Sequence, residues 1–401
     1  MGRVARNAGN VLALLVLTSA GFAETPSDLN KLGRLYYAEG RYAEARPMFE
    51  RALALTESQT GTDDLALLPA LNNLAVLYRE TADYSHARQF AERARSIAEL
   101  RGAVETAEGA SALANLGAIE EMQGDTAPAM KLLTRALSIR ERLLGSSHPL
   151  LAETLSDLAL AYRADGQFKT AAGLYRQALT LLENPAPIKN GNLPAVLNNL
   201  GQTEAAEGNL REAEKILRKA IAESESLLGP QHPTTAAALV NLAKVLRSRH
   251  RYQDAREALR RAQEINRRRF APDHPRIAQD LSLEAALAFD RKRYSEAEQL
   301  FEQALTILAQ RLPATHVELG RATANLAEVY WREKRMQEAE VSFGKALAIL
   351  EQTLGPSSPE LLPTMEHYAQ ILRTRQDFAK AASLDARAMK IRVTRTLKGA
   401  A

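Results

Sequence analysis

No cysteine occurs anywhere in the 401 residues. That excludes disulfides, thiolate nucleophiles and cysteine-built metal sites together. A lipid-anchored lipoprotein is excluded with them, since there is no thiol to acylate. Long apolar runs are also missing. The most apolar stretch, 11–17, falls well short of the roughly 20 residues that span a bilayer. Nor is there a charge excess of either sign. The formal net charge is +4, and Arg3 and Arg6 at the amino terminus supply two of those charges. A nearly balanced chain gives no general argument for nucleic acid or an anionic membrane as partner. Phosphate-cradling and hydrolytic motifs are absent as well: there is no Gly-x-x-x-x-Gly-Lys-Ser/Thr, Gly-x-Gly-x-x-Gly, His-Glu-x-x-His or Gly-x-Ser-x-Gly. An enzyme would need a constellation assembled from distant segments, and none is visible, so no catalytic residue, cofactor or metal is assigned.

What the sequence has instead is repetition. In the stretch 148–181, Leu151, Leu155, Leu158 and Tyr162 fall three to four apart and line one helical face. Gly166 breaks the pattern, and Phe168 opens a second run through Ala171, Ala172, Tyr175, Ala178 and Leu179. Two amphipathic helices in a hairpin leave apolar stripes that only neighbouring hairpins can cover. Stepping by 42 from Leu158 gives Leu32, Leu74, Leu116, Leu200, Leu242, Glu284, Leu326 and Tyr368. Thirteen positions after each marker stands alanine, from Ala45 to Ala381, and twenty after it alanine again, from Ala52 to Ala388, in all nine units. Small residues belong where helix axes approach to about 8–10 Å. Leucine and aromatic columns then supply the apolar burial, at roughly 25 cal/mol per Å².

The pattern of Leu158-Ala159, Tyr162, Gly166, Ala171, Tyr175 and Ala178 resembles the tetratricopeptide repeat family. The 42-residue period and the linker Leu228-Gly229-Pro230-Gln231-His232-Pro233 are similar to its kinesin-light-chain type. The resemblance covers nearly the whole chain. It implies an all-α, right-handed solenoid of about nine helix–turn–helix units, near 27–59, 64–100, 107–144, 148–182, 191–228, 232–270, 274–312, 316–354 and 358–397. No composition shift separates them, so a single solenoid over 27–397 is expected. The linker 184–191, with Pro185, Pro187 and Gly191, reads as the one odd joint and the candidate kink. Glu284 departs from the leucine column, and a small rotation onto Leu283 and Leu287 would keep that helix's apolar face inward. At the carboxy-terminal end Asp385 stands where other units carry an apolar residue, as a capping repeat permits.

Residues 1–23 combine Arg3 and Arg6, a short apolar run and small residues ending at Ala23. That is the shape of a cleavable secretory signal, so an exported, periplasmic or secreted protein is expected. Four histidines share one column: His148, His232, His274 and His316. Units about 10 Å apart cannot bring their nitrogens to one zinc ion at about 2.1 Å. Helix capping ahead of proline accounts for them instead.

By the same resemblance, the first helix of each unit lines a concave groove. Immediately before the marker stand Asn73, Asn115, Asn199, Asn241 and Asn325, with Asp157 in unit four. An asparagine side chain both donates and accepts, and family resemblance implies that it holds a partner's main chain; fixing the stacking of units is the other reading. Five positions after the marker come Arg79, Arg163, Arg247 and Arg373, with Phe289 and Trp331. On that reading the arginines pair with carboxylates, and the two rings form an apolar anchor. The expected function is an interaction scaffold for protein or peptide segments, acidic with one bulky apolar side chain. A chaperone-like exported peptide carrier is the alternative, and an enzyme with a site across repeats the third class.

Overall fold

A computed structural model describes residues 25–39, 41–81, 83–183 and 192–399. The secretory leader expected over 1–23 and the candidate kink at 184–191 therefore lie outside the described residues. The chain clusters into two compact units, Met1–Ile188 and Lys189–Ala401. Each is all-α, built from helical pairs stacked as in a right-handed α-solenoid.

Among the described residues the first unit holds four pairs: α1 (Pro26–Ala38) with α2 (Tyr42–Thr60), α3 (Leu68–Glu80) with α4 (Tyr84–Leu100), α5 (Ala107–Met122) with α6 (Thr126–Leu144), and α7 (Leu151–Ala164) with α8 (Phe168–Glu183). The second holds five: α9 (Leu193–Glu207) with α10 (Leu210–Leu227), α11 (Pro233–Ser248) with α12 (Tyr252–Arg269), α13 (Pro275–Asp290) with α14 (Tyr294–Arg311), α15 (Val317–Arg332) with α16 (Met336–Leu354), and α17 (Leu362–Thr374) with α18 (Phe378–Gly399). Short 3₁₀ turns, Leu65–Leu67 and Pro359–Leu361, lead into α3 and α17.

The alanine columns sit at the helix crossings. Ala45, Ala87, Ala129, Ala171, Ala213, Ala255, Ala297 and Ala339 are fully enclosed, as are Ala52, Ala94, Ala136, Ala178, Ala220, Ala262, Ala304 and Ala346. A larger side chain at any of them would push two helices apart. Between the crossings, Phe49, Tyr175, Phe301 and Phe343 fill the space with almost no exposure. A Cβ at Gly33 would lie 2.5 Å from the Phe49 ring, so the aromatic there excludes any side chain opposite it. Within each unit, first helices touch the first helices of adjacent pairs, whereas second helices make no such contact with one another. First helices therefore crowd onto the inner side and line the groove.

The histidine column caps helices. His232, His274 and His316 each accept through Nδ1 from the backbone N–H two residues on, Thr234, Arg276 and Glu318, at 3.1–3.2 Å. Thr106, Asp64 and Ser358 stand in the same column and accept from Gly109, Ala66 and Glu360. His148 accepts from Leu150 one turn before α7 begins. An imidazole can accept at Nδ1 only while that nitrogen is unprotonated. Burial, and then the nearby Arg269 charge, hold His232 below the usual histidine range. A depressed folded value means that this cap's contribution is complete above the unfolded pKa and is lost as pH falls through the folded one. His232→Asn, which caps without titrating, should flatten the loss of stability as pH falls from 7 to 5; identical pH–stability curves by urea titration would contradict it.

One linker departs from the pattern without warning. Residues 101–106 fold back over the start of α5, and a Cβ at Gly109 would lie 2.4 and 2.6 Å from the carbonyl oxygens of Ala103 and Val104. The column that carries Leu151 in unit four must therefore carry glycine here. Glu284 is half-buried and accepts from Gln263 Nε2 at 2.9 Å, while Leu283 and Leu287 are buried beside it.

Candidate functional site

In the second unit, the inner faces of α9, α11, α13 and α15 enclose a cavity of about 540 Å³. Its wall is built by positions eight, five and one before each marker and two after it: Arg276, Gln279, Leu283 and Ala286 from α13, and Glu318, Arg321 and Asn325 from α15. At 100° per residue these positions return to one face of a helix. Asn241 and Lys244 continue the same face on α11, and Gln202 does so on α9. Charge is distributed unevenly along it. Lys244, Arg247, Arg276 and Arg321 oppose only Asp280 and Glu318 among the lining residues. Arg321 is tied to Glu318 at 2.8 Å and to Glu360. Arg247 is tied to Asp290 by two hydrogen bonds of 2.6 and 3.1 Å. Arg276 donates to the Gln279 amide oxygen at 3.3 Å. Among the described residues, no carboxylate lies within ion-pair distance of Lys244 or Arg276. Burial in the groove, and the Arg321 and Arg276 charges acting against the pull of Glu318, move Lys244 below the usual lysine range.

The asparagines mostly face each other. Asn241 Nδ2 donates to Asn198 Oδ1 at 2.9 Å, Asn73 Nδ2 to Asn30 Oδ1 at 2.9 Å, and Asn115 Nδ2 to the Asn72 carbonyl and side-chain oxygens at 3.4 Å. Asn72 in turn donates to the Glu108 carbonyl at 3.0 Å. In those three pairs the amide fixes the stacking of successive first helices. Asn199 and Asn325 donate no side-chain bond among the described residues, and only Asn325 lines the cavity.

The arginine–aromatic column stands at the margin of the groove face. Five after the marker lies about 60° around the helix from the position two after it, and from there Arg247 reaches the cavity wall while pairing with Asp290. Arg373 pairs with Asp385 on its own second helix. Arg332 lies over both Trp331 and Phe289, 5.0 and 5.9 Å from their centroids, and donates to Glu328. Glu328 also holds His367, 2.7 Å away, above the usual histidine range. The two rings are thus brought together, with a cation already on their faces.

In the first unit the corresponding face is acidic, carrying Glu153 and Asp157 on α7. Arg79 lies beneath it with only 13% of its side chain exposed, 3.5 Å from Glu80. Burial pushes the Asp157 carboxyl up to about 7, the nearby Glu153 adding to this while Arg79 and Arg140 oppose it. Arg140 reaches in from α6 and donates to Thr154 and to Ser111 Oγ at 3.1 Å. Glu121 is likewise raised by burial, against the pull of Arg163. Sequence reading names Arg79, Arg163 and Asp157 here but misses Arg140, Glu153 and, in the second unit, Lys244, Arg276 and Asp280. The signal that finds Glu153, Lys244 and Arg276 is the eight–five–one–two face itself, which the strongest columns obscure; Arg140 stands on a second helix and Asp280 four before its marker.

A family model described as tetratricopeptide repeat matches residues 26–99, 109–184, 192–268, 234–310 and 318–392. No curated protein matches. Among solved structures, a Rap protein complexed with competence and sporulation factor is similar at 14% identity and a TM-score of 0.68, over 92% of this chain and 98% of that one. The apo quorum sensor NprR from B. thuringiensis is similar at 12% identity and 0.64, over 91% and 98%. Aspartyl phosphate phosphatase F from Bacillus subtilis follows at 14% and 0.57, over 93% and 95%. At these identities the likeness is one of fold.

Proposed function

The chain belongs to the tetratricopeptide repeat family, and from that premise we propose that it is a binding scaffold whose second-unit groove takes an extended acidic protein or peptide segment. The observation that carries this is the cavity of about 540 Å³ with Lys244 and Arg276 on one face and no carboxylate paired to either among the described residues. Cations in a concave, partly desolvated wall attract a carboxylate more strongly than the same cations on an open surface. The similar Rap protein is complexed with competence and sporulation factor, which supports a ligand-binding role for this kind of fold. Phe289 and Trp331 support an apolar anchor only at their ring edges, since Arg332 covers the faces. The reading is of a binder rather than a catalyst. Arg3, Arg6 and the apolar run 11–17 support export. No helix among the described residues is long and apolar enough to cross a membrane.

The test is fluorescence anisotropy with N-acetylated, fluorescein-labelled hexaglutamate as probe. Lys244→Glu should weaken binding about tenfold, or about 1.4 kcal/mol, and Arg276→Glu similarly, with helicity and melting temperature unchanged. Equal affinity in both variants would overturn the proposal.

A further inference from the structure

Resting on that reading of the groove, the geometry points to a second requirement on its occupant: an ammonium group, seated on Asp280 beside the carboxylate held by Lys244 and Arg276. Asp280 lines the same cavity from α13 and is 2% exposed. Its Oδ2 accepts from Asn266 Nδ2 at 2.8 Å. Its Oδ1 has no hydrogen-bond partner, and no cation lies within ion-pair distance of the carboxylate among the described residues.

A buried carboxylate is normally paired with a cation or saturated with donors, because desolvation without compensation costs several kcal/mol. Here one neutral amide serves one oxygen and nothing serves the other. Arg276 and Arg267 act on Asp280 only through space, and its carboxyl is raised by burial. Alanine or leucine at this position would remove the problem; the carboxylate is retained in the wall of a solvent-open cavity. A donor arriving at Oδ1 meets little competing water, since the oxygen is shielded from bulk solvent.

A lone cation does not suit the site, because Lys244, Arg276 and Arg321 surround it. An ammonium carried on the same molecule as a carboxylate does. The zwitterion is neutral overall, its negative end meeting Lys244 and Arg276 and its positive end meeting Asp280. Two sources share that chemistry: the amino-terminal residue of an acidic peptide, and a free acidic amino acid.

The experiment compares two probes on the whole protein: Glu-Glu-Glu-Lys(fluorescein)-amide with a free amino terminus, and the same peptide acetylated there. The free amine should bind roughly tenfold more tightly, as expected for a charge-assisted bond made away from water. Asp280→Asn, with helicity and melting temperature checked, should erase that difference while leaving the acetylated probe's affinity in place. L-glutamate displacing the free-amine probe would identify the amino acid as source; failure to displace it, with the preference intact, would identify the peptide terminus. Equal affinity for the two probes in the wild-type protein overturns the ammonium subsite and leaves the acidic-segment groove standing. Binding of neither probe overturns both.

Discussion

Phe301→Ala is expected to lower the stability of the second unit by about 3–5 kcal/mol, or roughly 6–20 °C in melting temperature for a body of this size. Phe301 is 2% exposed and packs among Ala285, Ala286, Ala288, Ala297, Leu326 and Val329. Those neighbours explain why the upper part of the range applies. A cavity left by a ring is relieved when surrounding side chains swing in, but methyl groups on rigid helices have nowhere to swing. The helices themselves are held apart at the distance that Ala297 and Ala304 set, so the backbone cannot close the gap either. Stacked repeats need not unfold as one step, so urea titration should be joined by amide exchange, which should speed up first in α13 to α15. Phe378 is the control: it is 64% exposed at the start of α18, and its replacement by alanine should change stability by no more than about 0.5 kcal/mol. A Phe301→Ala loss under 1 kcal/mol would mean that the alanine scaffold is softer than its packing implies.

The same contrast explains what the sequence reveals and what it conceals. Stacking is written in the alanine columns because close approach of two helices admits only one solution in side-chain size, and that solution repeats with the period of the fold. Capping is nearly as legible. His232, His274 and His316 share a column with Asp64, Thr106 and Ser358 because each supplies an acceptor to a backbone N–H in the first turn, two residues on or, for Thr106, three. The groove is not written this way. Apart from the asparagine column, its residues differ from unit to unit, Lys244 answering to Ala286 and Glu328 in the same column, so periodicity leaves most of this face unmarked. A column rich in arginine and aromatic residues draws notice, yet in the second unit it reaches the cavity wall through Arg247 and not through Phe289 or Trp331. The fold of residues 101–106 over Gly109 is hidden for a related reason. It depends on where two carbonyl oxygens lie, and no residue type marks that.

Arg247→Glu is expected to destabilise the second unit by about 2–3 kcal/mol, which measures the structural part played by an arginine that also lines the groove. The Arg247 guanidinium meets Asp290 through Nε at 2.6 Å and Nη2 at 3.1 Å, bridging α11 to the end of α13. Side-chain exposures of 38% and 19% place the pair between a surface bridge worth less than 1 kcal/mol and a buried one whose rupture costs 3–5. Glutamate does more than remove the bond: it sets a second carboxylate against Asp290, and like charges in contact repel strongly where water is partly excluded. Exchanging the partners, Arg247→Asp with Asp290→Arg, should recover most of the loss, and a double-mutant cycle should give a coupling above about 1 kcal/mol. Additive effects of the two single changes would show that the bidentate pair contributes nothing beyond its separate groups. Arg247 also lines the cavity, so a loss of ligand binding in Arg247→Glu combines a loosened joint between α11 and α13 with a reversed charge in the groove wall. Lys244 stands three residues earlier on the same helix with no carboxylate to lose, so Lys244→Glu reports on the groove.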